Sequence, residues 1–171
     1  TFIESLRSRG PVSRASNIAV GPVLVGTAKT TRLGRLEGVK LDERLTSLRG
    51  ITLSGDPGEL TKNAQSVGIG SRLAAELDVK VGDDLQLLAL APGPQALGFR
   101  RTSLEVVAIF KGGLDTFDRT ALVTSVSTSR ELLGVDDGSM GALAWLDGRI
   151  SLEEGSKRLA TELGEDRRVR P

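Results

Sequence analysis

Four carboxylates stand in two close pairs, Asp83 and Asp84 in "VGDD" and Asp115 and Asp118 in "LDTFD". Two carboxylates in unlike surroundings can divide general-acid and general-base work. Grouped, they can also hold a hard cation. Lys80 lies just upstream of the first pair. The chain contains neither His nor Cys, which removes the usual near-neutral base, the thiolate nucleophile and two common metal ligands. An Asp beside Gly in a turn usually bonds its own backbone. Turn building is therefore the expectation for these groups: no catalytic residue or metal ligand is assigned, and no cofactor is expected. "GIGSRLAAEL" sets two glycines before a helix, but it lacks the long Gly-rich turn and the Lys-Ser/Thr pair of a phosphate loop. Gly70 is read as the residue at which the helix starts.

A second stretch carries binding chemistry instead. "APGPQALGFRR" lies between two strand-like segments and is longer than an ordinary hairpin turn. Pro92 and Pro94 stiffen it, and a stiff loop loses little entropy on docking. Gln95, Ala96, Leu97, Gly98 and Phe99 form its tip. Arg100 and Arg101 follow, suited to grip a carboxylate or a carbonyl rim. The same residue types also allow Leu97 and Phe99 to fold back on the sheet, and the sequence leaves both readings open.

The elements that must position these groups follow from periodicity. "SNIAVGPVLVG" is strand-like, with Pro22 pointing to an edge or a bulge. "TTRLGRLEGVKL" reads as its return strand, "DERLTSLRG" as a short helix, and Asp56-Pro57-Gly58 as a turn. Ile69, Leu73 and Leu77 recur every four residues, which predicts a helix over 71–77. "DDLQLLAL" and "SLEVVAIF" are strands, the latter apolar on both faces and hence well buried. "KGGLDTFDR" reads as a loop, "TALVTS" as a strand, "SVSTSRELLG" as a helix stopped by Gly134, and "GALAWLDG" as a strand with Trp145 in the core. Ser151 and Glu154 have the spacing of a capping box ahead of a final helix. "TFIESLRSR" reads as an opening helix. "DRRVRP" closes the chain with a basic cluster of Arg167, Arg168 and Arg170.

At 171 residues the chain can form one domain or two small lobes with a real core. Strands and helices mix without βαβ alternation, so the class is α+β. A net charge of +1 gives no reason to expect nucleic acid as a partner. No stretch approaches the roughly 18 apolar residues of a membrane span. The chain begins at Thr1 with neither an initiator Met nor a signal peptide, and it reads as part of a longer polypeptide.

"GIGSRLAAELDVKVGDDLQLLAL", a variable hairpin, and "LEVVAIFKGGLDTFDRTALVTSVSTSRELLG" together resemble the extracytoplasmic domain of lipoprotein-releasing ABC transporter permeases, which group with macrolide-exporter-like permeases. Asp78 stands where the family has Gly, and so does Ala108. Upstream, Asn17 stands where Pro is common, and the segment from Lys40 to Asp42 lacks a second Pro. The similarity covers most of residues 2 to 165. It implies two lobes: a mixed α/β membrane-proximal lobe split between residues 1–38 and 140–171, and an inserted β-rich lobe at 39–139 with a protruding hairpin loop at 91–99. It further implies a non-enzymatic domain facing the periplasm from a bacterial inner-membrane protein. The partners it implies are a second permease subunit, a cytoplasmic ATPase subunit, lipoprotein cargo and a periplasmic lipoprotein carrier. In the family a hairpin loop recruits that carrier, and the loop falls on Pro92, Pro94, Gln95, Ala96, Leu97, Gly98 and Phe99, with Arg100 and Arg101 as an adjoining pad. Related permeases that export drugs or peptides, or that transmit motion to periplasmic partners, share the domain. A different reading of "LDVKVGDDLQL" is a double-psi-like barrel using Asp83, Asp84 or Lys80 on a small molecule. It requires those side chains to face a concave pocket.

Overall fold

The computed structural model describes residues 12–92, 97–135, 141–146 and 151–163. Contacts divide the chain into two units, residues 18–141 and residues 1–17 with 142–171.

The larger unit is built on strands that close into a ring. β1 (Val12–Gly26) and β2 (Thr31–Val39) form an antiparallel hairpin from Gly26↔Thr31 to Ala19↔Gly38. The chain then passes through α1 (Leu41–Gly50), the short β3 (Thr52–Gly55), α2 (Glu59–Lys62), β4 (Ser66–Gly70) and α3 (Ser71–Leu77). It continues through β5 (Asp84–Pro92), β6 (Leu97–Phe110), α4 (Asp115–Thr120), β7 (Ala121–Ser125) and α5 (Val126–Leu133). β2 runs parallel to β7, β7 antiparallel to β4, β4 parallel to β6, β6 antiparallel to β5, and β5 antiparallel to β1. β3 lies off this path, paired to the end of β6.

Apolar side chains explain the closure. Val23, Val25, Leu36, Ile69, Leu87 and Leu122 fill the interior, and Leu73 and Leu77 of α3 join them with Leu132 of α5. "SLEVVAIF" behaves as its two apolar faces require. Leu104 and Val106 enter this cluster, while Val107, Ala108 and Phe110 enter a second one with Leu41, Leu48 and Leu60. The switch between clusters coincides with a register shift between Val67 and Gly68, opposite Val106 and Ala108. Gly68 is required there, because a Cβ would overlap Phe110 Cε2.

Local signals set the helix ends. α3 starts at Gly70 and stops at Asp78, whose φ of 55° is left-handed. This is the position where the resembled family carries Gly, and Gly adopts that conformation freely. The Ser125 hydroxyl accepts from Thr128 N at 3.1 Å to start α5, and Gly134 ends it at φ 64°. The segment "KGGLDTFDR" departs from the loop expected of it. α4 forms because the Asp118 carboxylate accepts from Gly112 N at 2.7 Å and Phe117 packs against the second cluster.

In the smaller unit, Val12 and Ala15 of β1 pack with Leu159 of α6 (Leu152–Leu163) and with Ala142, Ala144 and Leu146 of β8 (Gly141–Leu146). β8 neighbours β1, and Ser13 Oγ donates to the Leu146 carbonyl at 3.3 Å. Half of the expected capping box forms. Ser151 Oγ accepts from Glu154 N at 3.2 Å, but the Glu154 carboxylate pairs with Arg158 one turn on. The helix expected over 1–9, the terminal basic cluster and the Trp145 side chain lie outside the described residues. Among the described residues, no helix is long and apolar enough to cross a membrane.

Candidate docking hairpin

Three of the four candidate carboxylates have a structural job. Asp83 Oδ2 accepts from Lys80 N at 2.9 Å, closing the turn in which Gly82 adopts φ 95°. Asp84 is exposed at the start of β5. Asp115 pairs with Arg72 and Arg119, and Arg119 joins Arg32 on Glu76, so a surface ion network ties β2, α3 and α4. Asp118 is buried on the Gly112 amide. None of Lys80, Asp83 or Asp84 lines either of the two cavities described below, so the small-molecule barrel reading is not favoured. Among the described residues no three acidic side chains come together as a metal-ligand set would.

The hairpin differs from the expected long loop. The β5–β6 ladder runs to Ala91↔Gly98 and Pro92↔Leu97, so the connection narrows to residues 93–96. Pro94, Gln95 and Ala96 lie outside the described residues, as do the side chains of Pro92 and Leu97. The ladder tolerates Pro92 for a geometric reason. Val106 N donates to Asp83 O at 2.9 Å, which makes Asp84↔Glu105 a pair without mutual hydrogen bonds. Counting by twos, Pro92↔Leu97 is also such a pair, so the missing N–H costs the hairpin nothing.

Strand alternation separates side chains that are adjacent in sequence. Phe99 and Arg101 project on one face, and Arg100 on the other. Phe99 is 74% exposed and sits opposite Leu90, which is 55% exposed. Next to them Leu88, opposite Arg101, meets Leu24 of β1, and Leu24 meets Leu33 of β2. Leu24 and Leu33 are both exposed, so an apolar strip runs from the hairpin onto the outside of the ring. Arg100 and Arg101 do not form one grip. Arg100 Nη1 donates to the Glu131 carbonyl at 2.6 Å, tying the hairpin to the last turn of α5, where a cation is favoured. Arg101 remains in solvent with no ion-pair partner among the described residues.

Two open cavities flank Arg100. One of about 520 Å³ lies between β6, α5 and the approach to β4, bounded by Gln65, Arg101, Thr102, Thr128 and Leu132. The other, about 360 Å³, lies between Arg100, Ser127, Arg130 and Val135. The exposed Leu24, Leu33 and Leu90 were not legible as surface residues. In "DLQLLAL" one phase is Leu85, Leu87 and Ala89, but the other changes from Asp84 and Gln86 to Leu88 and Leu90, so its outer end is apolar at both phases and reads as covered on both faces. Pro22 was the available signal. Extending the β1–β5 register two residues past Leu24↔Leu88 brings Pro22 opposite Leu90, with its nitrogen toward β5. The β1 ladder stops before it, and the outer hairpin continues alone.

No family model matches the sequence, and no curated protein sequence matches it. Solved structures do. The extracellular domain of the noncanonic ABC-type transporter YknZ from Gram-positive bacteria is similar at a TM-score of 0.57 and 15% identity, over 96% of this chain and 81% of that one. The periplasmic region of MacB from Actinobacillus actinomycetemcomitans is similar at a TM-score of 0.55 and 10% identity, over 94% and 70%. The fold is that of exterior-facing ABC transporter permease domains. It agrees with the α+β class expected from the residues. At these identities the agreement concerns the backbone, and the hairpin's own side chains must carry any further reading.

Proposed function

We propose that the chain is the periplasm-facing domain of a bacterial ABC transporter permease, non-catalytic in itself, and that its β5–β6 hairpin docks a periplasmic lipoprotein carrier. In this reading residues 1–38 and 140–171 form the membrane-proximal lobe, and residues 39–139 the inserted lobe. A second permease subunit and a cytoplasmic ATPase complete the transporter, and lipoprotein is the cargo.

The observation that supports docking is the exposed pair Leu90 and Phe99 on an outer hairpin. Single exposed apolar groups are ordinary, but contiguous patches mark interaction sites, and this pair continues through Leu88 to Leu24 and Leu33. Pro92, Pro94, Gln95, Ala96, Leu97 and Gly98 would continue that surface to the tip, and Arg101 would add a charged rim.

The test is affinity for the purified carrier, measured by calorimetry on wild type and on Leu90→Ser, Phe99→Ser and Leu97→Ala. Anchors of this kind carry about 1–3 kcal/mol each. Unchanged affinity in variants of unchanged thermal stability removes the hairpin from the interface. An operon encoding an efflux partner in place of a carrier would move the same surface to an export permease.

A further inference from the structure

The edge of β6 carries a second kind of binding chemistry. Glu105 N donates to Gln65 O at 2.9 Å, toward β4, whereas Val106 N donates to Asp83, toward β5. Backbone groups of an antiparallel strand alternate sides, so the N–H and C=O of Phe99, Arg101 and Ser103 point the same way as those of Glu105. β4 begins its pairing only at Ser66↔Glu105. Among the described residues no strand pairs with that side of β6 from Leu97 to Leu104.

The chain just ahead of β4 is drawn away from this edge. Asn63 Oδ1 accepts from Gln65 N at 2.9 Å, Ser66 Oγ donates to Asn63 O at 2.5 Å, and Thr128 Oγ1 donates to Ala64 O at 2.8 Å. The result is the cavity of about 520 Å³, with the unpaired edge as one wall and α5 as the other.

We infer that this edge is a strand-addition site for an extended, acidic segment of a partner protein, which would continue the line of β4 along Phe99, Arg101 and Ser103. Three observations fit that occupant. The unpaired groups are main-chain donors and acceptors in alternation, which an extended peptide satisfies and a compact ligand does not. Arg101 stands beside the edge without a partner among the described residues, so a carboxylate is favoured. The cavity of about 520 Å³ lies open beside the edge, which leaves it accessible to an incoming strand. This site shares Phe99 and Arg101 with the docking surface, but it uses their main-chain edge rather than the apolar side chains of Leu90 and Phe99, and it does not depend on the carrier-docking reading.

The test uses the full 171-residue chain and an acetylated heptapeptide of alternating valine and glutamate. Titration followed by amide NMR should give saturable shifts and slowed hydrogen exchange at Phe99, Arg101 and Ser103, with a Kd at or below about 1 mM. Ser103→Pro removes one edge N–H while sparing the β5 ladder, and it should weaken binding about tenfold or more. Ser103→Ala keeps that N–H and should bind as wild type does. An alternating valine–lysine peptide should bind several-fold more weakly than the glutamate peptide. No saturable shift, equal binding by Ser103→Pro, or a concentration-dependent dimer of the free chain that Ser103→Pro abolishes would each overturn the inference. Loss of carrier binding in Leu90→Ser with peptide binding intact separates the two sites.

Discussion

β5 and β6 are one hairpin with two halves that behave oppositely. In the inner half, Leu85, Leu87, Leu104 and Val106 are buried and neighbouring strands complete the ladder. In the outer half, Leu90 and Phe99 stand in water, and both outer edges lack a neighbouring strand among the described residues. The residue types are similar, since both halves alternate Leu with small or polar groups. Neighbours make the difference: Pro22 stops β1 on one side, and the Asn63 turn bends the approach to β4 on the other. Exposure in this hairpin is thus imposed by two short segments far from it in sequence.

The largest expected effect lies just past the inner half, at the end of β6 in the second cluster. Phe110→Ala empties a fully buried site and should cost about 3–5 kcal/mol in chemical denaturation. Gly68→Ala presses on the same ring from the other side and should cost about 1–3 kcal/mol. In the outer half, Leu90→Ser and Phe99→Ser should shift stability by less than about 0.5 kcal/mol, as exposed sites do. A loss comparable to that of Phe110→Ala would show that the two halves are one core. In the smaller unit, Ser151→Ala should cost about 1 kcal/mol through the lost contact with Glu154 N. An unchanged midpoint would show that this cap carries no weight. The smallest effect sharpens the comparison at α3. Asp78→Gly should stabilise by about 0.5 kcal/mol, because the backbone there is left-handed. A decrease would mean that the Asp side chain offsets its own strain.

Much of the fold was legible because the signals were local. The four-residue spacing of Ile69, Leu73 and Leu77 gave α3 to the residue, and Gly134 marked the end of α5. α4 was missed because its support comes from Asp118 reaching back to Gly112, a contact that no periodicity records. The hairpin was legible as a place but not as a geometry. Proline and glycine suggested a loop, whereas register carries the ladder through Pro92 at a position that needs no N–H. Adjacent arginines suggested one site, and strand alternation sent Arg100 to α5 and Arg101 to solvent.

The ring also sets an order of events for the growing chain. Its β1–β2 and β5–β6 pairs are short-range hairpins of the kind that form in about 1–10 μs. The parallel pair that locks them, Arg35↔Ala121, spans 121 − 35 = 86 residues. Loops of that length make closure slow, and strand-rich chains with such pairings fold in roughly milliseconds to seconds. Until β7 arrives, β2 and β4 each lack the strand that pairs between them. During synthesis those strands therefore keep an unpaired edge for the whole passage of α3, β5, β6 and α4. Aggregation through those open edges is thus a hazard of this interval, before the ring exists.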